Sequence, residues 1–64
     1  MKTAIIYTIP QCPWCHRAKK LLELMGIEYE ERLGKHPDHP TAPYIIIDGQ
    51  PIGGFTELAD SVRR

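Results

Sequence analysis

An α/β fold organised around a β-α-β unit is what this 64-residue chain predicts, on three observations. An apolar, β-branched run occupies Thr3–Thr8, which suits a strand central in its sheet and covered on both faces. Next, Ala18, Leu21, Leu22 and Met25 recur at helical spacing, and Gly26 stands where a left-handed C-terminal cap belongs. Residues 27–31 then alternate apolar and acidic side chains, as a half-exposed strand does, and the intervening helix makes it parallel to the first.

The remaining elements follow in chain order. Residues 34–43 contain Pro37, Pro40 and Pro43 with Gly34 between strand and loop, so a regular helix longer than one turn is not expected there. Tyr44–Ile47 is a second strongly apolar strand, and Asp48-Gly49 supplies a hairpin turn into a short strand at residues 50–52. Pro51 lacks an N–H for a ladder and confines that strand to the sheet edge. After Gly53-Gly54, Thr56 is expected as N-cap of a last helix with Glu57 in its first turn. Leu58, Ala59 and Val62 form its buried stripe, and Arg63-Arg64 complement its dipole.

Length and composition bound the function. Residues 1–64 make one small domain, and a chain of this size buries only about 60% of its unfolded surface. Eight basic residues balance eight acidic ones, which leaves no electrostatic footprint for nucleic acid. No stretch approaches the roughly 20 apolar residues of a membrane span. The apolar run after Met1-Lys2 is too short for a signal peptide and ends at Pro10-Gln11 without a cleavage-like site. A lone disulfide across a four-residue loop is a poor staple, because the stabilisation shrinks with loop length. The only two cysteines, Cys12 and Cys15, therefore point to chemistry in a reducing compartment, with the cytoplasm as the expected location.

Cys12-Pro13-Trp14-Cys15 lies between the first strand and the first helix. A cysteine at a helix N-terminus is stabilised as thiolate by the free N–H groups and positive dipole end there. Pro13 suits the first helical position, since its missing N–H had no acceptor in the helix. Cys12 is the expected nucleophile, and Cys15, one turn in, the residue that resolves a mixed disulfide. His16, Arg17, Lys19 and Lys20 crowd positive charge into the first turns, with Arg17 the expected support for the thiolate beside Pro13. Cys12 is expected to titrate below the roughly 8.5 of a free cysteine. Gly53-Gly54 ahead of a helix leaves backbone N–H groups suited to a carboxylate.

Cys12-Pro13-Trp14-Cys15, then Thr41-Ala42-Pro43 leading an apolar strand, then Asp48-Gly49 and residues 52–58, Ile-Gly-Gly-Phe-Thr-Glu-Leu, stand in the order found in glutaredoxins, which the chain resembles almost end to end. The resemblance implies a thioredoxin-like fold: a four-stranded mixed sheet of order β2-β1-β3-β4, numbered along the chain, with two main helices. The segment before Pro43 is too short for the middle helix that the family usually has, so that helix is truncated or absent. The resemblance also implies that Pro43 is cis, with Ala42 pairing to substrate beside Cys12, and that Trp14, Gly54, Thr56 and Glu57 contact glutathione. Glu57 stands where the family more often has aspartate. Ile9 stands where many members carry a lysine for the glycyl carboxylate of glutathione, leaving Arg17, Gln11 or Lys35 as substitutes.

The implied activity is that of a glutathione-dependent dithiol oxidoreductase. Its substrates would be protein disulfides and glutathione mixed disulfides, with glutathione as reductant and no metal. The nearest alternative is an electron donor reduced by thioredoxin reductase, for example to ribonucleotide reductase. Three other readings use the same cysteines. Cys12, Cys15, His36 and His39 offer zinc-ligand types, but 20 residues separate Cys15 from His36 and two separate the histidines, a poor match to common fingers. Cys12 to His16 also fits a haem attachment pattern with Met25 as axial ligand, without the helical surroundings of such proteins. A bridging iron–sulfur cluster, formed by some relatives, is less expected for a dithiol member with proline after the first cysteine.

Overall fold

The structure, a computed structural model, describes residues 2–39 and 42–62, the last without its side chain. Six elements run in the order β1 (Thr3–Thr8), α1 (Pro13–Leu24), β2 (Glu28–Leu33), β3 (Tyr44–Ile47), β4 (Gln50–Gly53) and α2 (Phe55–Val62). The strands form one mixed sheet in the order β2-β1-β3-β4. β1 pairs with β2 in parallel and with β3 antiparallel, and β3 pairs antiparallel with β4, so Pro51 does lie on an edge. Asp48 and Gly49 both take positive φ, 50° and 80°, as a hairpin turn of matching twist requires. Asp48 Oδ1 also accepts the Thr3 N–H at 3.0 Å, tying the turn to the start of β1.

Both helices are packed on one face of the sheet through Ala18 and Leu22 of α1 and Leu58 of α2, all fully buried against Ala4, Ile6, Ile45 and Ile47. Period-2 burial in β1 and β3 and helical spacing in α1 converge on that single layer. α1 ends at Met25, and Gly26 follows at φ 73°.

Three expectations need correction, while the absence of a middle helix among the described residues agrees with the one set by the short segment before Pro43. β1 is central but not covered on both faces, because Thr3, Ile5 and Tyr7, on the face away from the helices, stay partly or largely exposed. Among the described residues no helix lies between β2 and β3, as expected, and aromatic side chains cover that face only in part, around Tyr7 and Tyr44. The His36 ring sits edge-on to Tyr7 at 4.9 Å, and the His39 ring stacks on Tyr44 at 4.5 Å. β2 begins after buried Ile27 and continues to Leu33, two residues past the expected alternation, because parallel pairing with β1 extends to Thr8. α2 begins at Phe55, so Thr56 lies inside its first turn; Gly54 is the cap, its carbonyl accepting the Leu58 N–H at 3.0 Å. The expectations for Thr41, the side chain of Val62 and Arg63-Arg64 fall outside the described residues.

Candidate active site

At the start of α1 the backbone of Cys12 is extended, φ −114° and ψ 100°, and the helix begins with Pro13. Cys12 Sγ accepts the Cys15 N–H at 3.2 Å, which satisfies one of the donors a helix start leaves open. The two sulfurs are joined as a disulfide with Cα atoms 5.2 Å apart. Their surroundings differ: Cys12 is half-buried, whereas Cys15 retains only 3% of its surface and faces inward. An incoming sulfur reaches Cys12 and not Cys15.

Both cysteines line a cavity of about 600 Å³ with Ile9, Gln11, Thr8, His16, Lys19 and Glu31 among its walls. Glu31 lies opposite Ile6 in the parallel ladder, on the face that also carries Thr8. The buried Thr8 hydroxyl donates to Glu31 Oε2 at 2.7 Å, and Lys19 Nζ donates to the same oxygen at 3.1 Å. The Thr8 hydrogen bond first, and then the Lys19 ammonium, hold the Glu31 carboxyl below its ordinary value of 4.5. Sequence reasoning missed this polar wall. Thr8 closing an otherwise apolar inward row was the available signal, but its acidic partner depends on the β1–β2 register.

A second cavity, of about 300 Å³, gathers Trp14, Ala42, Pro43, Gly54, Thr56 and Glu57, every residue expected to contact substrate, and adds His39 and Phe55. The Ala42–Pro43 peptide bond is cis, as the resemblance implied. Trp14 stays 51% exposed, its ring 5.3 Å from that of Phe55. The Arg17 guanidinium lies over the Trp14 ring at 4.6 Å, whereas His16 and Lys19 line the cysteine cavity. Pro13 is exposed at the first helical position.

The Gly54 amide is not an open anion seat. Glu57 Oε1 accepts its N–H at 2.8 Å, the reciprocal half of a capping box with Gly54 as cap. Gly53, at φ 116°, allows that contact; a Cβ there would lie 2.8 Å from Glu57 Oε1. The longer side chain of glutamate thus folds back onto the turn. Of the substitutes for a lysine at Ile9, Gln11 lines the cysteine cavity, Arg17 covers Trp14 and Lys35 is exposed on the loop. His36 and His39 pack on tyrosines, and among the described residues no three His, Cys, Asp or Glu side chains gather as metal ligands. No helix among the described residues is long and apolar enough to cross a membrane.

A thioredoxin-like sheet that presents a C-x-x-C pair at a helix N-terminus, outer sulfur accessible and inner sulfur buried, defines the class of thiol-disulfide oxidoreductases. Within that class the chain belongs to the glutaredoxin family, whose model matches residues 4–52. It is 38% identical to Glutaredoxin 3 of Escherichia coli (strain K12), over 91% of this chain and 83% of that protein. Glutaredoxin 1 of Rickettsia bellii is 37% identical, over 88% of this chain and 72% of the relative. Among solved structures, Glutaredoxin 1 from Francisella tularensis superimposes with a TM-score of 0.86 at 28% identity, covering 98% of this chain and 94% of that one. Glutaredoxin from Brucella melitensis gives 0.80 at 33% identity, covering 95% and 78%.

Proposed function

We propose that residues 1–64 form a single-domain dithiol glutaredoxin that reduces glutathione mixed disulfides and protein disulfides with glutathione as reductant. The observation that carries this reading is the placement of Cys12 at the start of α1 with Trp14, just beyond it, shared with the groove of Ala42, cis-Pro43, Gly54 and Thr56. In the first reaction the Cys12 thiolate attacks the glutathione sulfur of a mixed disulfide. A Cys12–glutathione disulfide forms and the substrate leaves as thiolate. A second glutathione thiolate then attacks that glutathione sulfur, restoring the Cys12 thiolate and yielding oxidised glutathione. With a protein disulfide, Cys12 forms the mixed disulfide and one substrate thiolate leaves. Cys15, deprotonated, attacks Cys12 Sγ, the second substrate thiolate leaves, and the Cys12–Cys15 disulfide remains for two glutathione molecules to reduce.

Trp14, Ala42, Pro43, Gly54, Thr56 and Glu57 form the glutathione groove in this reading, while Pro13 sets the helix start that favours the Cys12 thiolate and Arg17, over the Trp14 ring, flanks the groove. A reducing cytoplasm is the compartment that keeps such a pair supplied with thiols. Two observations favour a second reductant, thioredoxin reductase with ribonucleotide reductase among the acceptors: Ile9 in place of the family lysine, and Glu57 seated on the Gly54 amide. NADPH consumption during turnover of a glutathione mixed disulfide separates the two. Activity with glutathione and glutathione reductase, and none with thioredoxin reductase alone, is expected. The opposite pattern would make the chain a thioredoxin-like donor.

A further inference from the structure

The face of α1 beside the cysteines carries a further groove, of which only His16 and Phe55 also line the cysteine cavity or the candidate glutathione groove. His16, Arg17, Lys20, Leu21, Leu24 and Phe55 line about 460 Å³ there. Its floor is apolar, from Leu21, Leu24 and Phe55, and its charged rim is entirely cationic. Leu24 leaves 84% of its surface in water, a large exposure for a leucine on a helix whose opposite face is fully buried. Phe55 also lines the candidate glutathione groove and His16 the cysteine cavity, so this surface is continuous with both mouths of the site. Trp14, 51% exposed and flanked by Arg17 and Phe55, joins them. An apolar patch rimmed by one sign of charge beside a reactive group is the anatomy of a protein-docking surface. Charge of one sign selects partners chiefly through association rate.

We propose that this groove docks the protein substrate, and that its occupant is a segment with acidic side chains around one large apolar residue near the reacting cysteine. The helix sets the spacing. From Trp14 to Leu24 is ten residues along α1, about 15 Å at 1.5 Å per residue. An extended segment covers that in about four or five residues at roughly 3.3 Å each, so the apolar side chain stands four or five positions from the cysteine. Carboxylates on either side meet Arg17 and Lys20, and the apolar side chain sits between Leu21, Leu24 and Phe55. The inference rests on the oxidoreductase reading for its substrate, but the surface can be tested without turnover.

Trp14 is the only tryptophan, so its fluorescence reports occupancy of the adjoining surface directly. Peptides with serine at the cysteine position, leucine five residues away and either glutamates or lysines around it would be titrated against the protein. Saturable binding of the glutamate peptide is expected, at least about tenfold tighter than the lysine peptide at low salt, and weaker as salt is raised. Leu24→Ser, a change on an exposed helix face, is expected to abolish most of that difference. Lys20→Glu is expected to shift preference toward the lysine peptide. The cysteine peptides as glutathione mixed disulfides should then rank the same way in kcat/KM, while a small hydroxyethyl mixed disulfide is turned over equally by wild type and Leu24→Ser. Equal affinity for both peptides, or an unchanged ranking in both variants, would overturn the docking surface. Peptide binding without turnover of any mixed disulfide would instead overturn the oxidoreductase reading and leave the surface standing.

Discussion

Cys12 and Cys15 share one disulfide but not one environment, and in the proposed reaction the more exposed Cys12 attacks while the buried Cys15 resolves. Cys12 takes a helix-capping position, where its sulfur already accepts an N–H at 3.2 Å; a hydrogen bond to the sulfur favours the thiolate over the thiol. Reduced protein is therefore expected to show a Cys12 thiolate absorbance that titrates below the roughly 8.5 of free cysteine, and a free-thiol titration would contradict it. Glu57 is the second informative residue. Because its carboxylate caps α2 through Gly54, Glu57→Ala should lower stability by about 0.5–1 kcal/mol, read from urea unfolding. The shorter Glu57→Asp should free the Gly54 amide and lower the KM for glutathione. An unchanged KM would show that the fold-back contact does not compete with substrate.

At the scale of elements, α1 links core and site, since the helix that presents Cys12 at its start buries Ala18 and Leu22 further along. Leu22 is fully buried, and truncation of such a leucine costs about 2–5 kcal/mol. A core of this size supplies little more than about 3–5 kcal/mol, so Leu22→Ala should be largely unfolded by circular dichroism at 25 °C. β2 contributes through Glu31. Its carboxyl titrates below 4.5 in the folded chain, so the folded state holds fewer protons than the unfolded one just below that pH. The stabilisation is present above about 4.5 and is lost as pH falls through the lower folded value. Thr8→Val removes the largest cause, and the acid-unfolding midpoint should move to higher pH. The helical spacing of α1, the Asp48-Gly49 turn and the edge position of Pro51 were legible because each depends on nearby residues. The threonine signal points two positions too late for the cap of α2, because the helix begins at Phe55 with Gly54 as cap and Glu57 reaching back to its N–H. The sequence marks Glu31 only as a strand residue, since its meeting with Thr8 is made by the parallel register.

For the whole molecule, economy of covering explains the form. With no helix between β2 and β3 among the described residues, the second face of the sheet relies on Tyr7, Tyr44, His36 and His39, and the same short loop leads to cis-Pro43 at the groove. Six residues that line the groove are those the resemblance names, and folding adds His39 and Phe55 to them. The sheet holds the groove and the cysteine pair beside each other, and in the proposed reaction the two sulfurs divide the work between them. Turnover of a glutathione mixed disulfide by Cys12→Ser and Cys15→Ser, coupled to NADPH through glutathione reductase, tests it most directly. Cys15→Ser should retain this activity while losing reduction of protein disulfides, and Cys12→Ser should lose both. Substantial turnover by Cys12→Ser, or loss of both reactions in Cys15→Ser with its fold intact, would contradict the assignment of Cys12 as the nucleophile.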